Sequence, residues 1–120
     1  MLNHIVLMGR LTKDPELRQT TNDIPVAKFT VACDREKKGE TDFINVTAWR
    51  KTAEFVSRFF TQGRMAVVSG RLQTRSYEDR DGNKRTAYEV LADSVYFGDS
   101  KKTEKPEFIP IEADDEELPF

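Results

Sequence analysis

Residues 43–63 read FINVTAWRKTAEFVSRFFTQG. As far as Trp49 the pattern has a period of two. Ile44, Val46 and Ala48 fall on one side, and Phe43, Asn45, Thr47 and Trp49 on the other, as in a strand with one face in a core. From Arg50 the period changes to 3.6: Ala53, Val56, Phe59 and Phe60 share one side of a helix, and Gly63 is placed to supply a left-handed C-terminal cap. A strand therefore runs straight into a helix, and two aromatic residues stand on the strand's polar side.

Working outward, HIVLMGRL (4–11) is β-branched and apolar, and VAKFTVAC (26–33) alternates, with Ala27, Phe29, Val31 and Cys33 on one face and Lys28 and Thr30 on the other. DREKKGETD (34–42) reads as a charged hairpin loop. Beyond the helix, MAVVSGRLQTRSY (65–77) and KRTAYEVLADSVYF (84–97) read as strands joined across EDRDGN, where Asp81-Gly82 is a strong hairpin signal. Three strands, a helix and two strands are the order of an all-β, five-stranded Greek-key barrel of the oligonucleotide/oligosaccharide-binding (OB) type. No internal repeat is visible. Residues 1–98 form the expected domain, and residues 99–120, with three Pro and no sustained periodicity, read as a disordered linker and acidic tip. Phe108, Ile109 and Ile111 are unusual in such a segment and suggest a docking patch on a neighbouring subunit.

The chain has 19 basic and 21 acidic residues, a balance that argues against a polyanionic partner until it is divided. Residues 1–98 hold 16 basic and 13 acidic residues, net +3; residues 99–120 hold 3 and 8, net −5. A weakly basic body with an acidic tail suggests a polyanion-binding domain with an interaction tail. A single Cys33 leaves no intrachain disulfide framework and points to a reducing, cytoplasmic setting. The apolar run before Gly9 is too short for a signal-peptide core or a membrane span.

Catalysis finds little support: one His, one Cys, no phosphate-cradling Gly loop and no metal-ligand spacing, so neither metal nor cofactor is expected. His4 reads as a polar residue at a strand end, not as a general base. A binding surface is better supported. The period of two places Phe43 and Trp49 on one face of their strand, and Arg71, Gln73, Arg75 and Tyr77 together on theirs, opposite Leu72. Aromatics interleaved with cations suit a single-stranded nucleic acid, because base faces stack and phosphates need countercharge. Lys28 and the loop residues Arg35, Lys37 and Lys38 would extend that surface. Each residue also has a plainer reading: Trp49 as a core or subunit-interface residue, the arginines as solvated sheet residues, the loop cations as ordinary loop charge.

The last seven residues, DDEELPF, place Asp114, Asp115, Glu116 and Glu117 before Leu118, Pro119 and Phe120. Pro119 cannot donate a backbone hydrogen bond and biases Leu118 toward an extended backbone, so neither helix nor central strand is expected. An apolar pocket beside a cation could take the Phe120 ring, while the four acids steer toward basic surfaces. The same acids could compete for the protein's own nucleic-acid groove. A purely solubilising tail would need neither Leu118 nor Phe120.

At four places in order the chain resembles bacterial single-stranded DNA-binding proteins. MLNHIVLMGRLTKDPELRQT resembles their opening strand and Gly-Arg-Leu-x-x-Asp-Pro-Glu-x-Arg run, and FINVTAWRKTAEFV their third strand and the start of the helix. GRLQTRSYEDRDGNKRTAYEV resembles their long hairpin, and DDEELPF their acidic tip. The resemblance implies a homotetramer of barrels in the cytoplasm, associated with the nucleoid. Such an assembly wraps single strands and uses the tip to recruit replication, recombination and repair proteins. It places Phe43, Trp49 and Tyr77 where family members stack bases. The chain departs from the family in lacking an aromatic in the loop 34–42, in having Asn45 and Ser76 where some members carry Arg or Lys, and in a short linker. The expected function is non-catalytic, sequence-independent binding of single-stranded DNA. The rivals are an RNA-binding barrel and a peptide-binding module.

Overall fold

Alternating burial builds the strands of this protein, and the computed structural model describes residues 1–99. In chain order the elements are β1 (Ile5–Leu11), β2 (Glu16–Gln19), β3 (Pro25–Asp34), β4 (Thr41–Trp49), α1 (Arg50–Phe59), β5 (Met65–Glu78) and β6 (Lys84–Phe97). The sheet order is β1-β5-β6-β4-β3-β2, and β1 also pairs with β3 through Arg10↔Ala32 and Leu11↔Val31. That last pairing closes β1, β5, β6, β4 and β3 into a five-stranded barrel with β2 hung outside on β3. Closure includes one parallel contact, Val46↔Val90 and Thr47↔Leu91 between β4 and β6. The architecture is the OB-type barrel expected from the order of elements.

Inward residues of every barrel strand meet in one core: Leu11, Phe29, Val31, Val46, Val68 and Val90, with Ala27, Ala48 and Ala66 among them. From α1, Ala53 and Val56 close one end of the barrel and are fully buried. Cys33 packs against the edge of this core, as its alternation with Val31 predicts.

Three details differ from the sequence pattern. β2 was not expected, because all four of its residues are exposed and no alternation marks it; it forms by backbone pairing with β3, from Glu16↔Lys28 to Gln19↔Pro25. Phe59 is half exposed, and Phe55 instead packs against the core. The helix does not reach Gly63: Phe60 is already extended (φ −109°, ψ 139°), and its amide donates to the Val56 carbonyl. Leaving the helix at Phe60 turns that ring inward, where it stacks on Phe97 at 4.7 Å between centroids. Gly63 does take a left-handed φ of 88°. It does so in a turn that Arg64 closes by donating to the Thr61 carbonyl, and the Gly63 amide ties that turn to the Leu11 carbonyl at 2.8 Å.

The end of β6 is latched. Arg64 lies over the Phe97 ring at 4.7 Å and pairs with Asp99 at 3.2 Å, while the Met65 amide donates to the same carboxylate. Partial burial disfavours the Asp99 charge, yet the Met65 amide and Arg64 together hold its pKa below the ordinary carboxylate value. The barrel's ordered contacts thus run one residue past Gly98.

β5 and β6 pair over their full lengths, with one irregularity at Ser69/Gly70. A Cβ built on Gly70 would overlap the Leu91 carbonyl oxygen, so the close approach needs a residue without a side chain. Gly70→Ala is therefore expected to lower the unfolding free energy by ~1–3 kcal/mol, the usual cost of forcing atoms into a packed site. The shift of the urea midpoint measures it; an unchanged midpoint would mean that the bulge opens at no cost.

Candidate nucleic-acid interface

The two aromatics of β4 project outward because their neighbours project inward. Ile44, Val46 and Ala48 go to the core side, leaving Phe43 68% and Trp49 43% exposed on the opposite face. Nine consecutive pairs with β3, from Val26↔Trp49 to Asp34↔Thr41, fix this parity, since a slip of one residue would bury the polar set and expose the apolar one. Trp49 is also the corner at which strand becomes helix. It is extended (φ −125°, ψ 152°) and is followed by Arg50 with a left-handed φ of 60°, a conformation that costs a non-glycine residue on the order of 1 kcal/mol.

Register places the remaining residues beside these two. Lys28 pairs with Thr47, Thr47 with Leu91, and Leu91 with Arg71, so one row crosses β3, β4, β6 and β5 with a cation at each end. Three strand spacings separate those cations, roughly 14 Å. The next row contains Thr30, whose hydroxyl donates to the Asn45 side-chain oxygen at 2.9 Å. Further along the β5–β6 arm, Arg75 pairs with Ala87 and Tyr77 with Arg85. The Arg75 guanidinium stands 5.8 Å from the centre of the Tyr77 ring, which is 45% exposed. Phe43 and Trp49 are six residues apart on β4, about 20 Å along a strand, a length over which several nucleotides can lie.

A groove of about 310 Å³ runs through the middle of this face, lined by Lys28, Asn45, Thr47, Arg75 and Glu89 and by the loop from Thr12 to Asp14. Thr47, assigned by parity to the polar face, is only 4% exposed because it forms the groove's floor. The loop that brings Lys13 to the groove was not anticipated. It lies between β1 and β2, and besides the pairing of β2 with β3 it is held by the Thr12 amide, which donates to the Thr30 carbonyl at 3.0 Å. The groove also contains acids: Asp14 accepts a hydrogen bond from the Gln62 amide, and Glu16 and Glu89 line the wall. Ser76 pairs with Thr86 and so belongs to the opposite face of the arm.

The loop cations differ among themselves. Arg35 is held by Asp42 at 2.8 Å and by Glu40 at 3.2 Å, so its charge is already matched. Lys37 approaches Glu40 at 3.7 Å on an exposed surface, and Lys38 pairs with no acid among the described residues. At the tip of the β5–β6 arm, the Asp79 carboxylate accepts from Arg85 and from the Asp81 and Asn83 amides, which fixes the turn. The Arg85 bond is the chief reason that its pKa lies below the ordinary value. Asp114, Asp115, Glu116, Glu117, Leu118, Pro119 and Phe120, and with them Phe108, Ile109 and Ile111, lie outside the described residues.

Two other features of the surface are apolar. Val6 and Met8 of β1 are more than half exposed, and β1 pairs with β3 only at Arg10 and Leu11, so one edge of Ile5–Gly9 is unpaired among the described residues. On the inner side of the long arm, Leu72 and Tyr88 are also exposed. The described residues contain no cluster of His, Cys, Asp and Glu that could hold a metal ion, and no helix long and apolar enough to cross a membrane.

An OB-type barrel with exposed aromatics and cations across one strand face is the architecture of oligonucleotide-binding domains. The sequence comparisons agree. Residues 2–98 match the single-strand binding protein family, and the chain belongs to that family. It is 50% identical over 102 residues to the single-stranded DNA-binding protein of Bacillus cereus, covering 81% of this chain and 60% of that one. It is 50% identical over 106 residues to single-stranded DNA-binding protein 2 of Listeria monocytogenes, covering 84% and 66%. A Staphylococcus aureus relative, also named single-stranded DNA-binding protein 2, is 48% identical over 110 residues, covering 88% and 79%. The chain thus spans about 60% of the length of the Bacillus cereus relative.

The Arg35–Asp42 pair sets a pH dependence for the β3–β4 loop. Hydrogen bonding from Arg35 lowers the Asp42 pKa below its ordinary 3.8 against a smaller opposing effect of desolvation. A depressed carboxylate contributes stability above its unfolded value, and that contribution is lost as pH falls through the folded value. A carbon-13 titration of the Asp42 carboxyl should accordingly give a midpoint below 3.8, and Arg35→Gln should raise it. A midpoint at or above the ordinary value would show that the pair does not form in solution.

Proposed function

We propose that this chain binds single-stranded DNA without sequence preference, along the outer face of β3, β4, β6 and β5. The observation that carries the proposal is the joint exposure of Phe43, Trp49 and Tyr77 on one face with Lys28, Arg71 and Arg75. Bases stack on the three rings, and the cations accept phosphates with release of counterions. Lys37 and Lys38 extend the path at the β3–β4 loop, while Arg35 braces that loop through Asp42. The names of the Bacillus, Listeria and Staphylococcus relatives support the same ligand. The protein works by binding, not catalysis, and protects single strands in replication, recombination and repair in the cytoplasm, at the nucleoid.

Residues 1–98 carry DNA binding, and residues 99–120 are the linker and partner-binding tip. Through Asp114–Glu117 and the Leu118-Pro119-Phe120 hook the chain recruits enzymes of those processes. It acts as a homotetramer. The unpaired edge of β1 beside Val6 and Met8, and the apolar patch at Leu72 and Tyr88, support self-association, because an open edge with apolar flanks is a template for pairing.

Titration with poly(dT) tests the DNA reading. Trp49→Ala should weaken binding by ~1–3 kcal/mol, the value of one base stack, with the tetramer mass from light scattering unchanged. A drop in mass with DNA affinity intact would make Trp49 an interface residue. Arg71→Gln combined with Arg75→Gln should flatten the log-log salt dependence by about 0.7 per lost phosphate contact, and an unchanged slope would remove both arginines from the path. For recruitment, Phe120→Ala should abolish capture of replication or repair enzymes identified by mass spectrometry while leaving DNA affinity intact. Equal capture by the parent and the variant would rule out the hook.

A further inference from the structure

Three carboxylates line the strand-face groove, where a polyanion gains nothing from them. Two of them have partners. Asp14 accepts the Gln62 amide at 2.8 Å, and Glu16, on the outer strand β2, lies 3.9 Å from Arg18. Glu89 is different. It stands on β6 opposite Gln73 and diagonal to Arg71 and Arg75 of β5, yet no cation comes within ion-pair distance of it among the described residues. The residue is partly buried in the groove wall.

The parallel contact sets a donor beside this acceptor. Val46 pairs with Val90 and both face the core, so one step back along the two strands Asn45 and Glu89 lie side by side on the opposite face, about 5 Å apart at the backbone. Both line the groove. The Thr30 hydroxyl donates to the Asn45 side-chain oxygen at 2.9 Å, which fixes the amide and leaves its NH2 for the groove. Donor and acceptor therefore stand next to each other in a set order.

We infer that this pair reads the edge of one base in a bound single strand, and that the groove favours cytosine and adenine over thymine and uracil. The Glu89 carboxylate accepts from the exocyclic amino group, the usual way in which an acidic side chain recognises cytosine. The Asn45 NH2 donates to the neighbouring ring nitrogen, N3 of cytosine or N1 of adenine. Thymine and uracil carry the reverse order, an O4 acceptor next to an N3–H donor, and bring O4 against the carboxylate. The groove volume of about 310 Å³ is at the small end of the range for small-ligand sites and takes a single base. Phosphates are left to Lys13, Lys28 and Arg75, and stacking to the exposed rings, so the pair biases the register of a strand without excluding any sequence. Thr30 is a positioning residue that acts through Asn45. The inference rests on the DNA reading of the strand face.

Deoxycytidine and deoxyuridine homo-oligomers of equal length test it at neutral pH, because the two bases differ only along the edge that the pair reads. Glu89→Gln keeps the side chain's shape but can turn either its oxygen or its NH2 to the base. It should lower the ratio of deoxycytidine to deoxyuridine affinity by about fivefold or more relative to the parent, the low end for a matched pair of base-edge contacts. Thr30→Val, which frees the Asn45 amide to rotate, should lower the same ratio. Stacking and phosphate differences between the oligomers cancel in the comparison of variant with parent. An equal gain for both oligomers in Glu89→Gln would make Glu89 a repelling charge only and overturn the inference. So would an equal loss or no change. A parent protein that bound neither oligomer would instead remove the DNA reading, and the inference with it.

Discussion

The strict two-residue period of β4 is the constraint on which the rest of this molecule depends. Val46 and Ala48 must face the core, so Phe43, Asn45, Thr47 and Trp49 must face out. Nine pairs with β3 on one side and the parallel contact with β6 on the other leave the strand no alternative register. Burial of Val46 and its partner Val90, together with Val31 and Val68, rewards that register at about 25 cal/mol for each Å² of apolar surface removed from water. The same free energy therefore holds the barrel closed and keeps two aromatic rings in solvent, where a monomeric globular protein gains nothing from them.

Legibility in the sequence follows from this constraint. Where one face of a strand is buried, alternation betrays it, which is why β3, β4 and the first half of β5 can be read from the chain; Arg71–Glu78 are exposed on both faces and take their parity from that half. β2 is invisible because its stability comes from backbone hydrogen bonds to β3 and from none of its own side chains being buried. Phe59 and Phe60 show a different difficulty. In a helix the two are neighbours on one side, but the chain leaves the helix between them, so Phe60 turns inward and Phe59 does not. Periodicity cannot reveal where a helix stops when the cap is an extended Phe and the glycine lies three residues further on.

Charge could be counted from the sequence but not assigned. Arg35, Lys37 and Lys38 are equivalent in the text of the loop, yet only folding brings Asp42 opposite Cys33, two residues from Arg35, and so neutralises the arginine. The arm is similar: Asp79 lies beside Arg80 in the chain but bonds to Arg85 across the turn. In both hairpins an acid at the base or tip fixes an arginine and the loop conformation together. The cations on strand positions, Lys28, Arg71 and Arg75, differ from those of the loops in that their spacing is set by the sheet and not by loop motion.

That division gives the two faces of the barrel different character. The strand face holds its rings and cations on a rigid lattice with strand spacing, suited to a repeating ligand whose bases and phosphates recur at intervals. The helix face has one apolar slot between two elements, β2 and α1, where Leu17, Phe55 and Phe59 are edged by Lys51, Glu54 and Arg58. Both faces are joined to the core through a few buried side chains: Thr47 and Val46 beneath the first, Val56 and Ala53 beneath the second. Since β4 runs into α1 through Trp49 and Arg50 without a loop, the two faces meet at one rigid corner, and Trp49 belongs to the first while standing next to the helix that carries the second.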